Sequence, residues 1–204
     1  KNNGRVLGVG HNGDKQCDVN EWSNIQYIAT GWRHTVGLDR DGYIHITGYG
    51  SNRQLREINS NIEQWQDIIA VAAGGGCKGG LGDGHTVGLR KDGSVIAVGD
   101  KEFRQCETGD WTDIVAIAAG DWHTVGLKSD GTVVSTRPIN NSKIKELNNN
   151  AWDVDDWTDI VAIAAGSGNT IGLKSDGTLV YAGYDDNSKS SAVDAWINIM
   201  VNKP

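Results

Sequence analysis

Residues 111–120 read WTDIVAIAAG, and residues 157–166 read WTDIVAIAAG again. Reading outward from this pair, each copy continues into Val-Gly-Leu or Ile-Gly-Leu, then Asp-Gly, then a second apolar run. The same line of text spans Trp22–Thr47, Trp65–Val98, Trp111–Val134 and Trp157–Val180. Its tryptophans fall at 22, 65, 111, 157 and 196, roughly every 39 to 46 residues, which is the period of propeller blades and of some helical arrays. Helical repeats need apolar residues three and four apart. Here the apolar runs are short, rich in Val and Ile, and bounded by Gly, Asp and Asn, so they read as strands. Asp41-Gly42, Asp92-Gly93, Asp130-Gly131 and Asp176-Gly177 read as hairpin loops, with Gly supplying the positive φ. Each repeat is therefore expected to be a three-strand antiparallel meander, and the fold class an all-β propeller.

The chain has 204 residues and a formal net charge of −7, with Lys and Arg scattered. A nucleic-acid footprint is basic, so nucleic acid is not an expected partner. No run approaches the roughly 18 apolar residues that cross a bilayer, so membrane insertion is not expected either. The three cysteines, Cys17, Cys77 and Cys106, fit no disulfide framework. Cys17 and Cys106 occupy equivalent contexts and read as small buried hydrophobes.

The whole chain reads as one repeat domain. A partial repeat, 1–21, precedes repeats 22–64, 65–110, 111–156 and 157–195, and a second partial repeat, 196–204, follows. Gly4–Gly10 is expected to be a third strand without its first two, and Trp196–Val201 a first strand without the rest. Such an array leaves open ends, so self-association through the terminal strands is an expectation. The chain begins inside the repeat pattern, so further sequence is expected upstream.

A Gly recurs in the middle of each second strand, at 37, 88, 126 and 172. A mid-strand Gly marks a close approach, here expected to be a neighbouring strand's backbone. The strands Ile114–Ala119 and Ile160–Ala165 are expected to be the most buried. The in-frame tryptophans read as packing between sheets; Trp32, Trp122 and Trp152 stand outside that frame.

The line A-A-G-x-x-H-T-V-G-L-K-x-D-G-T-V-V at 118–134, with its counterparts, resembles the repeat of the regulator of chromosome condensation family. Its short three-stranded form is similar to the bacterial branch, which includes a propeller-type β-lactamase inhibitor. The resemblance implies a propeller, usually of seven blades, that binds proteins and performs no chemistry. It also implies a secreted or cell-surface location over a cytoplasmic one. Inhibition of a β-lactamase, or nucleotide exchange, enters by family analogy alone.

No catalytic constellation was found: there is neither Gly-x-Ser-x-Gly nor His-Glu-x-x-His. The chain is read as no enzyme, with no cofactor and no metal. His34, His85 and His123 share one register with Asn169. Asn replaces His as a hydrogen-bond donor but is a poor zinc ligand, so this register is expected to bond a carbonyl of the next blade. His11 and His45 read as surface residues. The acidic run Asp153, Asp155, Asp156 lacks the Gly and distal Glu of the known calcium loop and reads as solvated.

The irregular place is the connection between the first and second strands. Three repeats bridge it with Trp32-Arg33, Asp121-Trp122 and Ser167-Gly168, whereas the second uses GGCKGGLGDG, residues 75–84. These connections share one end of the array. Trp and Arg are the commonest interface hot spots. In the inhibitor branch aromatic residues of this connection grip the target; the matching positions here are Trp32, Arg33, Asp121 and Trp122. The expected partner-binding set is Trp32, Arg33, Cys77, Lys78, Leu81, Asp83, Asp121, Trp122 and Ser167. A protein partner is the first reading. A lectin using Trp32 and Trp122 as sugar platforms is the alternative.

Overall fold

A computed structural model describes residues 3–49, 54, 57, 65–75, 84–137 and 151–183. They form four antiparallel sheets, each a meander in chain order. The first sheet is β1 (Ile25–Thr30), β2 (His34–Asp39) and β3 (Ile44–Gly48); the second is β4 (Ile68–Gly74), β5 (His85–Arg90) and β6 (Val95–Gly99). The third is β7 (Ile114–Ala119), β8 (Thr124–Lys128) and β9 (Val133–Ser135); the fourth is β10 (Ile160–Ala165), β11 (Asn169–Lys174) and β12 (Leu179–Gly183). The hairpin glycines Gly42, Gly93, Gly131 and Gly177 hold φ between +82° and +89°. That left-handed turn is why Asp-Gly marks every second-to-third-strand connection.

Packing runs between consecutive sheets. One buried cluster joins Val36, Leu38 and Ile46 to Trp65 and Ile68. A second joins Val87, Leu89 and Val95 to Trp111 and Ile114, and a third joins Val125, Leu127 and Val133 to Trp157 and Ile160. Among the described residues no buried cluster joins the first sheet to the fourth. The repeat letters thus have a direct cause: Val-Gly-Leu sends Val and Leu to one face, and the next repeat's Trp and Ile cover them.

One burial expectation is corrected. The middle strands, not the first strands, are the most buried: Val36, Leu38, Val87 and Val125 are all 0% exposed. They are paired on both edges and covered on both faces. Each first strand carries a β-bulge after its opening Ile, at 25, 68, 114 and 160. The bulge turns Ile69, Val115 and Val161 out to solvent.

The mid-strand glycines face a ring, not a backbone. A Cβ on Gly126 would lie 2.9 Å from Trp111 Cζ3 and 3.0 Å from Ile114 Cδ1, and Gly88 would meet Trp65 in the same way. The indole of each repeat lies across its own second strand, and Gly makes room for it. Backbone-to-backbone approach occurs instead where the first strands end. Trp32 N–H donates to the Gly75 carbonyl at 3.0 Å, Gly75 N–H to that of Gly120 at 3.0 Å, and Asp121 N–H to that of Gly166 at 3.4 Å. Here the sheets converge, and a Cβ on Gly74 would collide with the Gly120 carbonyl.

Gly4–Gly10 is not a strand. It has the backbone of a third strand, with Gly4 at φ +67° and Gly10 at +115° against +82° and +122° at Gly93 and Gly99. Among the described residues no strand pairs with it, and Val9 is 93% exposed. Gly4 still accepts Ile25 N–H at 3.0 Å, as Gly93 accepts Ile114 N–H at 3.0 Å. Trp196–Val201 lies outside the described residues.

Candidate functional site

The histidine register is a set of inter-sheet bolts. His34 Nε2 lies 3.3 Å from Thr86 Oγ1, His85 Nε2 3.0 Å from Thr124 Oγ1, and His123 Nε2 2.9 Å from Thr170 Oγ1. Each threonine belongs to the next sheet. Thr124 and Thr170 donate their own protons, to the carbonyls of Gln105 at 2.7 Å and Ala151 at 2.5 Å, and Thr86 donates to Gln54 Oε1 at 2.6 Å. The hydroxyl proton is thereby committed, so each histidine donates to its threonine through Nε2–H; at His85 the buried Nδ1 has no partner among the described residues. The Nε2 partner is a hydroxyl, where the sequence reading expected a carbonyl; His34 also hydrogen-bonds the backbone of His85 in the next sheet. Burial pushes His34 and His123 down to about 4 and His85 to about 3, so all three imidazoles are neutral near pH 7. Asn169 opens the second strand of the last described sheet.

Among the described residues no group of three His, Cys, Asp or Glu could hold a metal ion. Asp155 of the acidic run pairs with Arg137. His11 is exposed; His45 is half-buried and bonds Asp39 at 2.9 Å. Cys17 and Cys106 are half-buried thiols rather than core residues, donating to the carbonyls of His11 and Asp100.

Two residues before this line, the chain turns over at the end of the array. Trp32 is 68% exposed. Arg33 beside it is held by two partners. Its Nε and Nη2 each donate to Asp14 at 2.7 Å, and its guanidinium carbon lies 4.0 Å from the centre of the Tyr49 ring. Arg33's hydrogen bonds hold the Asp14 carboxyl below its usual range. His11 and Gln16 close the other wall, with Gln16 Nε2 and His11 Nδ1 3.2 Å apart. His11, Asp14, Gln16, Trp32 and Arg33 line a cleft of about 470 Å³.

Trp122 behaves differently from Trp32. It is half-buried and packs edge-on against Phe103, ring centres 6.3 Å apart. Counting from the glycine that ends each third strand, Gly10 and Gly99, Asp14 and Phe103 are the same repeat position. Arg33 and Trp122 are likewise equivalent, each preceding its register histidine. An ion pair in one repeat therefore stands where an aromatic pair stands in another. Asp121 is half-buried, and Ser167 is exposed on the same end. Cys77, Lys78, Leu81 and Asp83 lie outside the described residues, although Gly75 and Gly84, which bracket them, are at this end. Asp14, Tyr49 and His11 were missed from sequence; aligning the third-strand glycines would have found Asp14.

No match was found among curated protein sequences. A family model of the regulator of chromosome condensation (RCC1) repeat matches residues 25–54 and 114–136. The fold is similar to the ectodomain of the receptor kinase CR4 from Physcomitrella patens, with TM-score 0.61 and 16% identity, covering 87% of this chain and 46% of that one. It is similar to yeast RCC1 (Prp20), solved bound to Kap60, with TM-score 0.54 and 18% identity over 84% of this chain and 48% of that one. Human WBSCR16 gives TM-score 0.54 and 15% identity over 79% and 49%. This chain thus spans about half the length of the structures it matches. At these identities the likeness concerns the fold alone. Two stretches of the chain thus match the regulator of chromosome condensation repeat, and its four sheets are folded like those of an RCC1-like β-propeller.

Proposed function

We propose that this chain is a non-catalytic protein-binding module. Its contact surface is the end of the array that carries the first-to-second-strand connections, centred on Trp32 and flanked by Arg33, Asp121, Trp122 and Ser167. Cys77, Lys78, Leu81 and Asp83, the rest of the set expected from sequence, lie outside the described residues. The observation that carries this reading is Trp32: a large ring exposed at 68% beside an arginine already locked by Asp14 and Tyr49. An exposed tryptophan over a pre-organised polar base is the anatomy of a binding hot spot. Both Asp14 oxygens are taken by Arg33, so the surface recognises its partner by stacking and shape rather than by a free charge. That yeast RCC1 (Prp20) is seen bound to Kap60 supports a propeller of this kind working through protein contact.

The test is capture of polypeptides from the source organism by the immobilised chain, beside the same chain on a glycan array. Trp32→Ala is compared with Asp130→Ala, a hairpin change at the opposite end of the strands. Proteins held by the wild type and by Asp130→Ala but lost with Trp32→Ala are the expected outcome. Retention that ignores Trp32 would overturn the choice of surface. Saccharide binding without any protein capture would move the reading to a lectin.

A further inference from the structure

We propose that the cleft beside Trp32 takes a proline-rich polypeptide segment in the extended polyproline conformation. This rests on the reading of Trp32 as the centre of a binding surface, and names what that surface recognises. The cleft, about 470 Å³, is lined by His11, Asp14, Gln16, Trp32 and Arg33. Every side-chain acceptor on that lining already accepts a hydrogen bond. Both Asp14 oxygens take Arg33 at 2.7 Å. Gln16 Oε1 takes the Asp14 N–H at 3.0 Å. That bond fixes the Gln16 amide, so its Nε2 donates across 3.2 Å to His11 Nδ1. His11 therefore presents Nε2–H. Beside Arg33, the lining is left with two donors, His11 Nε2–H and the indole N–H of Trp32, and neither meets an acceptor among the described residues. Gly13 keeps the first of them open: a Cβ there would lie 2.8 Å from His11 Cε1 and 3.1 Å from Nε2.

A lining of donors selects its occupant. An ordinary extended peptide brings an N–H with every carbonyl, and a sugar hydroxyl donates as readily as it accepts. Either would set its donors against acceptors already engaged. Proline has no N–H, and the polyproline helix leaves its carbonyls unpaired. Such a segment brings acceptors alone. Carboxylates and phosphates do so too, but Asp14 already matches the charge of Arg33, and a net −7 repels an anion. The apolar half of the match is the Trp32 ring, 68% exposed, with Tyr49 held close by. Tyr49 N–H donates to the Arg33 carbonyl at 2.9 Å, and its ring faces the guanidinium at 4.0 Å. Grooves lined by aromatic rings grip proline-rich segments, whose preformed helix loses little freedom on docking. Trp122, at the same end, does not offer the same platform, because its ring packs on Phe103.

The test is isothermal titration of the full chain with decaproline and, beside it, with a glycine–serine peptide of the same length. Decaproline should bind the wild type and Asp130→Ala alike, and the glycine–serine peptide neither. Trp32→Ala should weaken decaproline binding about tenfold or more. Trp32→Phe and His11→Phe each keep a ring and lose one donor, and each should weaken it about threefold or more. Should one of these two fail to fold, the other still reads the loss of a donor. No decaproline binding, equal binding of the two peptides, or decaproline binding that ignores Trp32 and His11 would overturn the proposal. Its failure is distinct from that of the surface. Proteins captured through Trp32 but not displaced by decaproline would remove the proline-rich occupant and leave the surface standing, whereas capture that ignores Trp32 would remove both.

Discussion

The histidine bolts and the connections just beyond them lie two residues apart in the chain and follow opposite rules. At the bolts one letter makes one contact, three times over: His34, His85 and His123 each reach a threonine of the next sheet. At the connections the letters change and the contacts change with them. Arg33 pairs with Asp14, whereas Trp122 packs on Phe103, in the same two places. Even here the task is shared, because each pair ties a connection to the loop entering its repeat. What is left unshared is Trp32. Its counterparts are Asp121 and Ser167, and nothing of its size recurs at that position. Repetition marks scaffold, substitution by an equivalent pair marks scaffold in another chemistry, and the residue with neither is the one to suspect of function.

The bolts give the largest effect by which this contrast can be broken. Burial lowers His34, His85 and His123 to about 4, 3 and 4 from an ordinary 6.5. A histidine with a folded value below its unfolded one makes the unfolded chain bind more protons between the two values. Its contribution is whole above pH 6.5, is lost as pH falls, and levels off below the folded values. At pH 5 the loss is about 2 kcal/mol for each histidine and about 6 kcal/mol for three, comparable with the whole stability of an ordinary domain. Melting followed by circular dichroism from pH 7.5 to 5 should show this collapse. His123→Asn, the letter standing at 169, should remove about a third of the slope. An unchanged slope would show that the bolts are not what acid opens.

Second in size is Gly126→Val. The new Cβ would sit 2.9 Å from Trp111 Cζ3 and 3.0 Å from Ile114 Cδ1, both buried side chains with little room to yield. Overpacking of this kind costs about 3 kcal/mol. Trp111→Ala costs stability alone, yet in the Gly126→Val background it should cost far less. Independent costs would return the glycine to a backbone contact.

The correction at this glycine shows what the sequence could carry. Strand type, hairpin position and the order of the sheets were legible because they follow from alternation, Asp-Gly turns and the repeat period. That Gly126 avoids something was legible too. What it avoids was not, because a missing side chain does not say whether a ring or a carbonyl fills the gap. The bolts were half legible: His and Asn in one register implied a donor, while the threonine acceptor lay 39 to 52 residues away and had to be placed by packing. Gly4–Gly10 failed for a plain reason. Its letters are those of a third strand, but a strand needs an edge to pair with, and period alone does not provide one. At the candidate site Trp32 and Trp122 looked alike as letters. They diverge because Phe103 waits opposite one of them, and that contact exists only after the loops are folded side by side.

The smallest effect separates those two tryptophans. Trp122→Ala removes a half-buried ring from its edge-on contact with Phe103, which should cost about 1 to 2 kcal/mol. Trp32→Ala removes a ring that is already mostly in water, and surface changes of that sort fall within about 0.5 kcal/mol. Urea unfolding of the two variants beside the wild type should therefore show one displaced midpoint and one that nearly coincides. The backbone at Trp32 donates to Gly75 whatever the side chain, so that junction survives the substitution. Equal losses in the two variants would mean that Trp32 is holding loops together as Trp122 does. Its exposure would then no longer distinguish it from the scaffold, and the proposed binding surface would lose its centre.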